Sequence, residues 1–74
     1  MNKQEITSRY NRLKHAEKCA VTEAALDYLA DDGIMVARNT LYYWRNTPHS
    51  RSPLDGKYLE AFQYAFKTTV ATPA

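Results

Sequence analysis

Apolar residues recur at helical spacing near the start of the chain, where Ile6 and Tyr10 begin a stripe along one face. Asn2, with Glu5 three residues later, has the pattern of a capping box at a helix N-terminus. Basic residues occupy much of the rest of this segment. The pattern predicts a first helix over residues 3–19.

A second helix is predicted over residues 22–31. Thr22 is a favourable N-cap, and Glu23 suits a first turn because its negative charge faces the positive end of the helix dipole. Gly33, after two aspartates, marks the loop that ends this helix. Residues 19–21 contain no helix breaker, so the pattern leaves open whether the first two helices are separate or one bent rod.

A third helix is predicted over residues 36–46, with Leu41 and Trp44 on its apolar face. Pro48 disfavours a helical conformation in the residue before it, which ends the helix near Asn46.

Ser52 marks the predicted start of the fourth helix, because Pro53 and Asp55 suit the first and third helical positions. The periodicity ends near residue 67, so residues 1–67 are predicted to form one domain and residues 68–74 a flexible tail. No segment alternates with the period of a strand, and the expected fold class is therefore all-α with four short helices. The broad apolar face of this last helix consists of Tyr58, Leu59, Phe62, Ala65 and Phe66.

The length of the chain restricts the function that it can support. Its 74 residues form one small domain, which buries only about 60% of the surface that the unfolded chain exposes. This size disfavours a deep catalytic cleft. Cys19 is the one cysteine, so no intramolecular disulfide is possible and a reducing, cytoplasmic location is expected. The N-terminus has no apolar run typical of a signal peptide, and no membrane partner is expected.

Catalytic and metal-binding patterns are weak in this sequence. His15 and His49 lie in different predicted segments, and together with Cys19 they do not have the spacing of a metal site. There is no glycine-rich phosphate loop and no nucleophile elbow. We therefore expect no enzymatic activity, no metal and no cofactor.

The run Thr40-Leu41-Tyr42-Tyr43-Trp44 lies in a segment that carries a more specific signal. Residues 22–46 resemble the helix-turn-helix of small phage and plasmid regulators, the Cro-like and excisionase-like proteins. The resemblance implies a helix-turn-helix formed by helices 2 and 3, with residues 36–46 as the recognition helix of a sequence-specific transcriptional regulator. It also implies that the Leu and Trp positions anchor this helix while the residues between them face DNA. The intervening turn is about two residues longer than the usual three or four.

Side-chain chemistry on the third helix is consistent with reading double-stranded DNA. Arginine can bind guanine through two hydrogen bonds, and asparagine can bind adenine in the same way. Tyrosine hydroxyls, basic side chains and the N-terminal amides of a helix can hold phosphates. The predicted DNA-binding residues are Arg38, Asn39, Tyr42, Tyr43, Arg45, Asn46, His49, Arg51, Lys57 and Thr22.

The distribution of charge supports this prediction more than the net charge of +2 does. Residues 36–58 contain several basic side chains and only one acidic side chain, Asp55. The second helix and its turn are instead acidic. The asymmetry is what a DNA-binding surface requires.

The fourth helix suggests a homodimer, because small domains often gain stability by association. Its predicted dimerisation residues are Tyr58, Leu59, Phe62 and Phe66. A symmetric dimer would place two recognition helices in successive major grooves. The alternative is that this face packs onto helices 1 and 3.

A second class of function remains open, namely a small phage-encoded protein that binds and inhibits a host protein complex. Tyrosine and arginine side chains would then be interface anchors. Tyr42 and Tyr43 could also belong to an aromatic core with one partly exposed ring. RNA binding by a basic face of the first helix, formed by Arg9, Arg12, Lys14 and Lys18, is a third alternative.

Overall fold

The computed structural model describes residues 2–47 and 52–69 of the chain. Over these residues the backbone forms four α-helices and no strand, which confirms the predicted fold class. The helices are α1 (Lys3–Asn11), α2 (His15–Asp31), α3 (Arg38–Asn46) and α4 (Asp55–Thr69). None of these described helices combines the length and the apolar character that a membrane span requires.

The first helix begins as predicted and ends much earlier. Asn2 Oδ1 accepts a hydrogen bond from the backbone N–H of Glu5 at 2.8 Å, so the predicted N-cap is confirmed. The predicted span over residues 3–19 is wrong, because α1 ends at Asn11. The chain then turns over residues 12–14.

The predicted second helix over residues 22–31 has the correct end and the wrong start. Lys14 is the N-cap of α2, and its backbone N–H donates to Glu17 Oε1 at 3.0 Å, which forms one half of a capping box. Thr22 lies inside α2, where its hydroxyl donates to the backbone carbonyl one turn earlier at 2.8 Å. Its predicted role as an N-cap is therefore wrong, and residues 19–21 are continuous α-helix.

The C-terminus of α2 closes in a Schellman motif. The backbone of Gly33 has φ +79°, in the left-handed region that glycine adopts readily. Its N–H donates to the carbonyl of Ala30 at 2.9 Å, and the N–H of Ile34 donates to the carbonyl of Leu29 at 2.8 Å. Residues 32–37 then lead to α3, and this connection is longer than the three- or four-residue turn of most helix-turn-helix motifs.

The third helix starts later than the predicted residues 36–46 because its N-cap, Ala37, has an extended backbone with φ −89° and ψ 162°. Its end at Asn46 is as predicted.

The capping hydrogen bonds predicted for the fourth helix form, but the α-helix begins at Asp55, three residues after Ser52. Ser52 Oγ accepts from the N–H of Leu54 at 3.2 Å, and Asp55 Oδ2 accepts from the N–H of Ser52 at 3.2 Å. The helix continues to Thr69, so the prediction that residues 68 and 69 belong to a flexible tail is wrong. The rest of that predicted tail, residues 70–74, lies outside the described residues.

The core is formed mainly between α2 and α4, with α1 and α3 packed beside them. Phe62 lies at its centre, fully buried, with ring centroids 6.3 Å from Tyr10, 5.8 Å from Trp44 and 6.2 Å from Phe66. The buried apolar residues are Ile6, Val21, Ala25, Leu29, Leu41, Trp44, Tyr58, Ala61, Phe62, Ala65 and Phe66.

The predicted dimerisation surface on α4 is wrong, because this face lies inside the molecule. Phe62 is fully buried, Tyr58 is 4% exposed and Phe66 is 2% exposed, while Leu59 packs half-buried against the core. The reason is that α2 packs along α4, while Tyr10 from α1 and Trp44 from α3 pack against Phe62.

Candidate nucleic-acid interface

Two side chains anchor α3 to the rest of the molecule. Leu41 is fully buried, and the Trp44 ring stacks on Phe62 with an angle of 8° between the ring planes. Trp44 Nε1 donates to Asp55 Oδ1 at 2.7 Å, at the start of α4. Packing and a hydrogen bond together therefore determine which side of α3 faces solvent.

The solvent-facing side of α3 carries five of the ten predicted DNA-binding side chains. Tyr42 is 54% exposed and Tyr43 is 64% exposed, and their rings meet edge to face at 5.7 Å. Both rings therefore lie outside the core, whereas the alternative of an aromatic core expected only one ring to be partly exposed. The exposed residues of this helix are Arg38, Asn39, Thr40, Tyr42, Tyr43 and Asn46.

Arg38 forms an ion pair with Glu23 of α2, in which Nη2 donates to Oε1. Their side chains are 57% and 63% exposed. Ion pairs at this exposure contribute about 0–1 kcal/mol to stability. The guanidinium can therefore exchange Glu23 for another acceptor at small cost.

Asn46 is exposed, but its amide is bonded within its own helix. Its Nδ2 donates to the backbone carbonyl of Tyr42 at 2.8 Å. Asn39, at the other end of α3, is also exposed. The two asparagines thus lie near opposite ends of the exposed surface.

Arg45 is the clearest difference from the predicted interface. It is only 8% exposed, and its guanidinium carbon lies 3.8 Å from the ring centroid of Tyr10 and 5.6 Å from that of Phe62. Burial lowers the pKa of Arg45 below its ordinary value. The expectation that Arg45 belongs to the exposed face of this helix is wrong, because the long side chain folds back onto aromatic rings.

Thr22 does not offer a helix N-terminus to a phosphate. It is 7% exposed in the body of α2, and its hydroxyl lies 3.1 Å from the hydroxyl of Tyr10. The predicted phosphate contact through Thr22 and neighbouring N-terminal amides is therefore wrong.

Lys57 connects the start of α4 to the end of α2. Its Nζ lies 2.7 Å from Asp32 Oδ2 and 3.9 Å from Glu60 Oε2. The hydrogen bond to Asp32 and the charge of that carboxylate raise the pKa of Lys57. The predicted phosphate-binding residues His49 and Arg51 lie outside the described residues.

A groove of about 250 Å³ opens between the first half of α2 and the exposed surface of α3. We call it the Arg45 groove, and its lining includes Tyr10, His15, Lys18, Arg38, Tyr42 and Arg45. Sequence reasoning missed Tyr10 and His15 as site residues, and it named Lys18 only in the RNA-binding alternative. The basic composition of residues 9–18 was the available signal, but one uninterrupted helix over this segment would not form such a groove.

Comparison of the chain with known protein families, curated proteins and solved structures finds no match. Among the described residues there is no group of three or more His, Cys, Asp or Glu side chains that could hold a metal ion.

Proposed function

We propose that this protein is a sequence-specific, double-stranded DNA-binding regulator of the phage or plasmid kind, with α3 as its reading helix. The observation that carries the proposal is the two-sided arrangement of α3. Leu41 and Trp44 hold the helix against the core, while the other sides present polar and aromatic groups to solvent. An α-helix presented in this way can enter the major groove of B-DNA.

Arg38 and Asn39 are the proposed base-reading residues. They lie in the first turn of α3 and are both exposed, and the N-terminal part of a recognition helix contacts base edges in helix-turn-helix proteins. The guanidinium of Arg38 would exchange Glu23 for the two acceptors of a guanine, and Asn39 would pair with an adenine. The hydroxyls of Tyr42 and Tyr43 would donate to backbone phosphates.

Selection from a pool of random-sequence duplexes tests this proposal. We expect one family of sequences to be enriched, with an affinity that falls steeply as the salt concentration rises. Arg38→Ala and Asn39→Ala should each reduce the preference for the selected duplex over a scrambled one by about tenfold or more, since one good side chain–base contact contributes about 1–3 kcal/mol of discrimination.

Arg12→Ala and Asn11→Ala are matched controls, because they remove the same residue types from exposed positions at the end of α1. Both should keep the full sequence preference. The proposal is contradicted if no sequence is enriched at low salt, or if the control variants lose the preference as strongly as the α3 variants do.

Protein binding is the second candidate function, and the exposed apolar side chains beside α3 favour it. Met35 is 82% exposed and Tyr43 is 64% exposed, and both residue types are enriched in protein–protein interfaces. With this function the selection would enrich no duplex. Tyr43→Ala, rather than Asn39→Ala, would then abolish a complex with a host protein.

A further inference from the structure

The charge of the Arg45 groove is of one sign. The residues that line it include three basic side chains, Lys18, Arg38 and Arg45, together with the imidazole of His15. None of the lining residues is an aspartate or a glutamate. Glu23, which pairs with Arg38, does not line the groove. Walls of one sign raise the local concentration of ions of the opposite charge.

Arg45 is a buried cation whose contacts in the described part of the chain are aromatic rather than acidic. No described carboxylate lies within 4.0 Å of its guanidinium, which instead covers the ring of Tyr10. Attraction between a cation and an aromatic ring offsets part of the cost of removing the charge from water. A buried charge is more commonly compensated by an ion of opposite charge, and the adjacent groove has room for one.

Tyr10 holds the two innermost cations in place. The guanidinium carbon of Arg45 lies 3.8 Å from its ring centroid, and Lys18 Nζ lies 5.8 Å from the same centroid. The Tyr10 hydroxyl is in turn held by Thr22, with 3.1 Å between the two oxygens. The cations are thus positioned before any ligand arrives, which reduces the entropy that binding must overcome.

We propose that the Arg45 groove binds a phosphate oxyanion, either a backbone phosphate of a nucleic acid or a phosphorylated small molecule. A guanidinium binds phosphate through two parallel hydrogen bonds, and an ammonium group adds a point charge. The hydroxyl of Tyr42 lines the same groove and adds a hydrogen-bond donor for a remaining oxygen. The proposal goes beyond DNA reading by α3, because a phosphorylated small molecule would occupy the groove in the absence of DNA.

The test is a titration followed by nuclear magnetic resonance on the complete chain. Inorganic phosphate and a nucleoside 5′-monophosphate are added separately, with sodium chloride at equal ionic strength as the reference. We expect saturable shifts at the Arg45 side chain and at the backbone amides of residues near Lys18 with both phosphates and not with chloride. Shifts that are equal with chloride, or that lie outside the groove, would overturn the proposal.

Lys18→Gln and Lys67→Gln form a matched pair, since each removes one positive charge and Lys67, exposed in the last turn of α4, does not line the groove. Lys18→Gln should weaken phosphate binding by about fivefold or more, as expected for a lost charge-assisted hydrogen bond. Lys67→Gln should leave it unchanged. Equal weakening by both would mean that phosphate responds only to net charge and would also overturn the proposal.

A third arm uses the DNA duplex obtained by selection, and it separates this proposal from the proposed function. If the phosphates saturate the groove while no duplex is selected, the groove proposal stands and DNA reading fails. The opposite result is a duplex that is read through Arg38 and Asn39 and binds the Lys18→Gln variant with unchanged affinity, while neither phosphate binds the groove. In that case DNA reading stands and the groove proposal fails. A duplex that competes with the nucleoside monophosphate identifies the ligand as a backbone phosphate.

Discussion

Arg45 places a guanidinium inside a small aromatic core, beside Tyr10 and Phe62. The pattern of α3 alone puts this residue on a polar side, because arginine is polar and the neighbouring Trp44 already serves as an anchor. An arginine stem is apolar over most of its length, however, and can cover hydrophobic surface. Its location is therefore decided by what lies opposite, in this case the ring of Tyr10 from α1.

Arg45→Met should separate the stability of the fold from the chemistry of the groove. Methionine fills a similar volume, and it removes both the attraction to Tyr10 and the cost of burying a charge. Because these contributions oppose each other, we expect the free energy of unfolding to change by no more than about 1 kcal/mol. Phosphate binding should be lost in the same variant.

Denaturant unfolding of the Arg45→Met variant measures the first quantity, and the phosphate titration measures the second. A loss of stability of about 3 kcal/mol or more would show instead that Arg45 holds the core together. Retained phosphate binding would show that Lys18 and Arg38 suffice without the buried guanidinium.

At the scale of the elements, the ends of the helices are determined by a few local hydrogen bonds. Glu17 accepts from the N–H of Lys14 and begins α2 there, whereas Thr22 uses its hydroxyl inside the helix. A threonine before an acidic residue is a common N-cap pattern, yet the same hydroxyl can bond to the carbonyl one turn earlier when the chain is already helical. The choice between these conformations depends on the packing of α2 against α4.

The two glycines provide a matched test of element ends. Gly33 has φ +79° in the Schellman motif, whereas Gly56 lies in the first turn of α4. A Cβ added at either position would have no neighbouring group within 4 Å, so steric clashes do not contribute to the comparison. Gly33→Ala should lower the free energy of unfolding by about 1 kcal/mol, because a Cβ is unfavourable in the left-handed region. Gly56→Ala should raise it by about 0.5–1 kcal/mol, because alanine favours a helix.

Thermal and denaturant unfolding of both glycine variants checks these opposite signs. If Gly33→Ala were as stable as the parent chain, the left-handed turn after α2 would not be the conformation in solution. If Gly56→Ala were destabilising, helical backbone at the start of α4 would be excluded.

For the whole molecule, alkaline pH should weaken the fold. Burial raises the pKa of Tyr58, and the hydrogen bond to Asp32 raises the pKa of Lys57. For both groups the folded state holds its proton more tightly than the unfolded state does. Their stabilising contribution is therefore complete below the unfolded pKa values, near 10.0 and 10.5, and is lost as the pH rises through the folded values.

Unfolding free energies measured from pH 8 to above about pH 11 test this expectation. We expect stability to fall progressively above about pH 10, and Tyr58→Phe should make the decline shallower because one of the groups with a raised pKa is removed. An unchanged slope in Tyr58→Phe would mean that the Tyr58 hydroxyl ionises equally in both states. Lys57→Met provides the corresponding test for the ion pair with Asp32.

Local signals in the sequence are enough to predict the all-α fold, the N-cap of α1 at Asn2, the end of α3 at Asn46 and the capping hydrogen bonds of Ser52 and Asp55 before α4. Each depends on residues within about one helical turn, such as a side-chain oxygen next to unpaired amides or a proline after the last turn. The anchoring roles of Leu41 and Trp44 also follow from the sequence, because large apolar side chains at helical spacing face the core.

Tertiary structure decided the rest, because those features depend on contacts between residues distant in sequence. The burial of Tyr58, Phe62 and Phe66 required partner surfaces, which α2 and the rings of Tyr10 and Trp44 supply within the same chain. The burial of Arg45 required the Tyr10 ring. The Arg45 groove likewise exists only because the turn at residues 12–14 separates α1 from α2 and allows Tyr10 and Lys18 to meet beside α3.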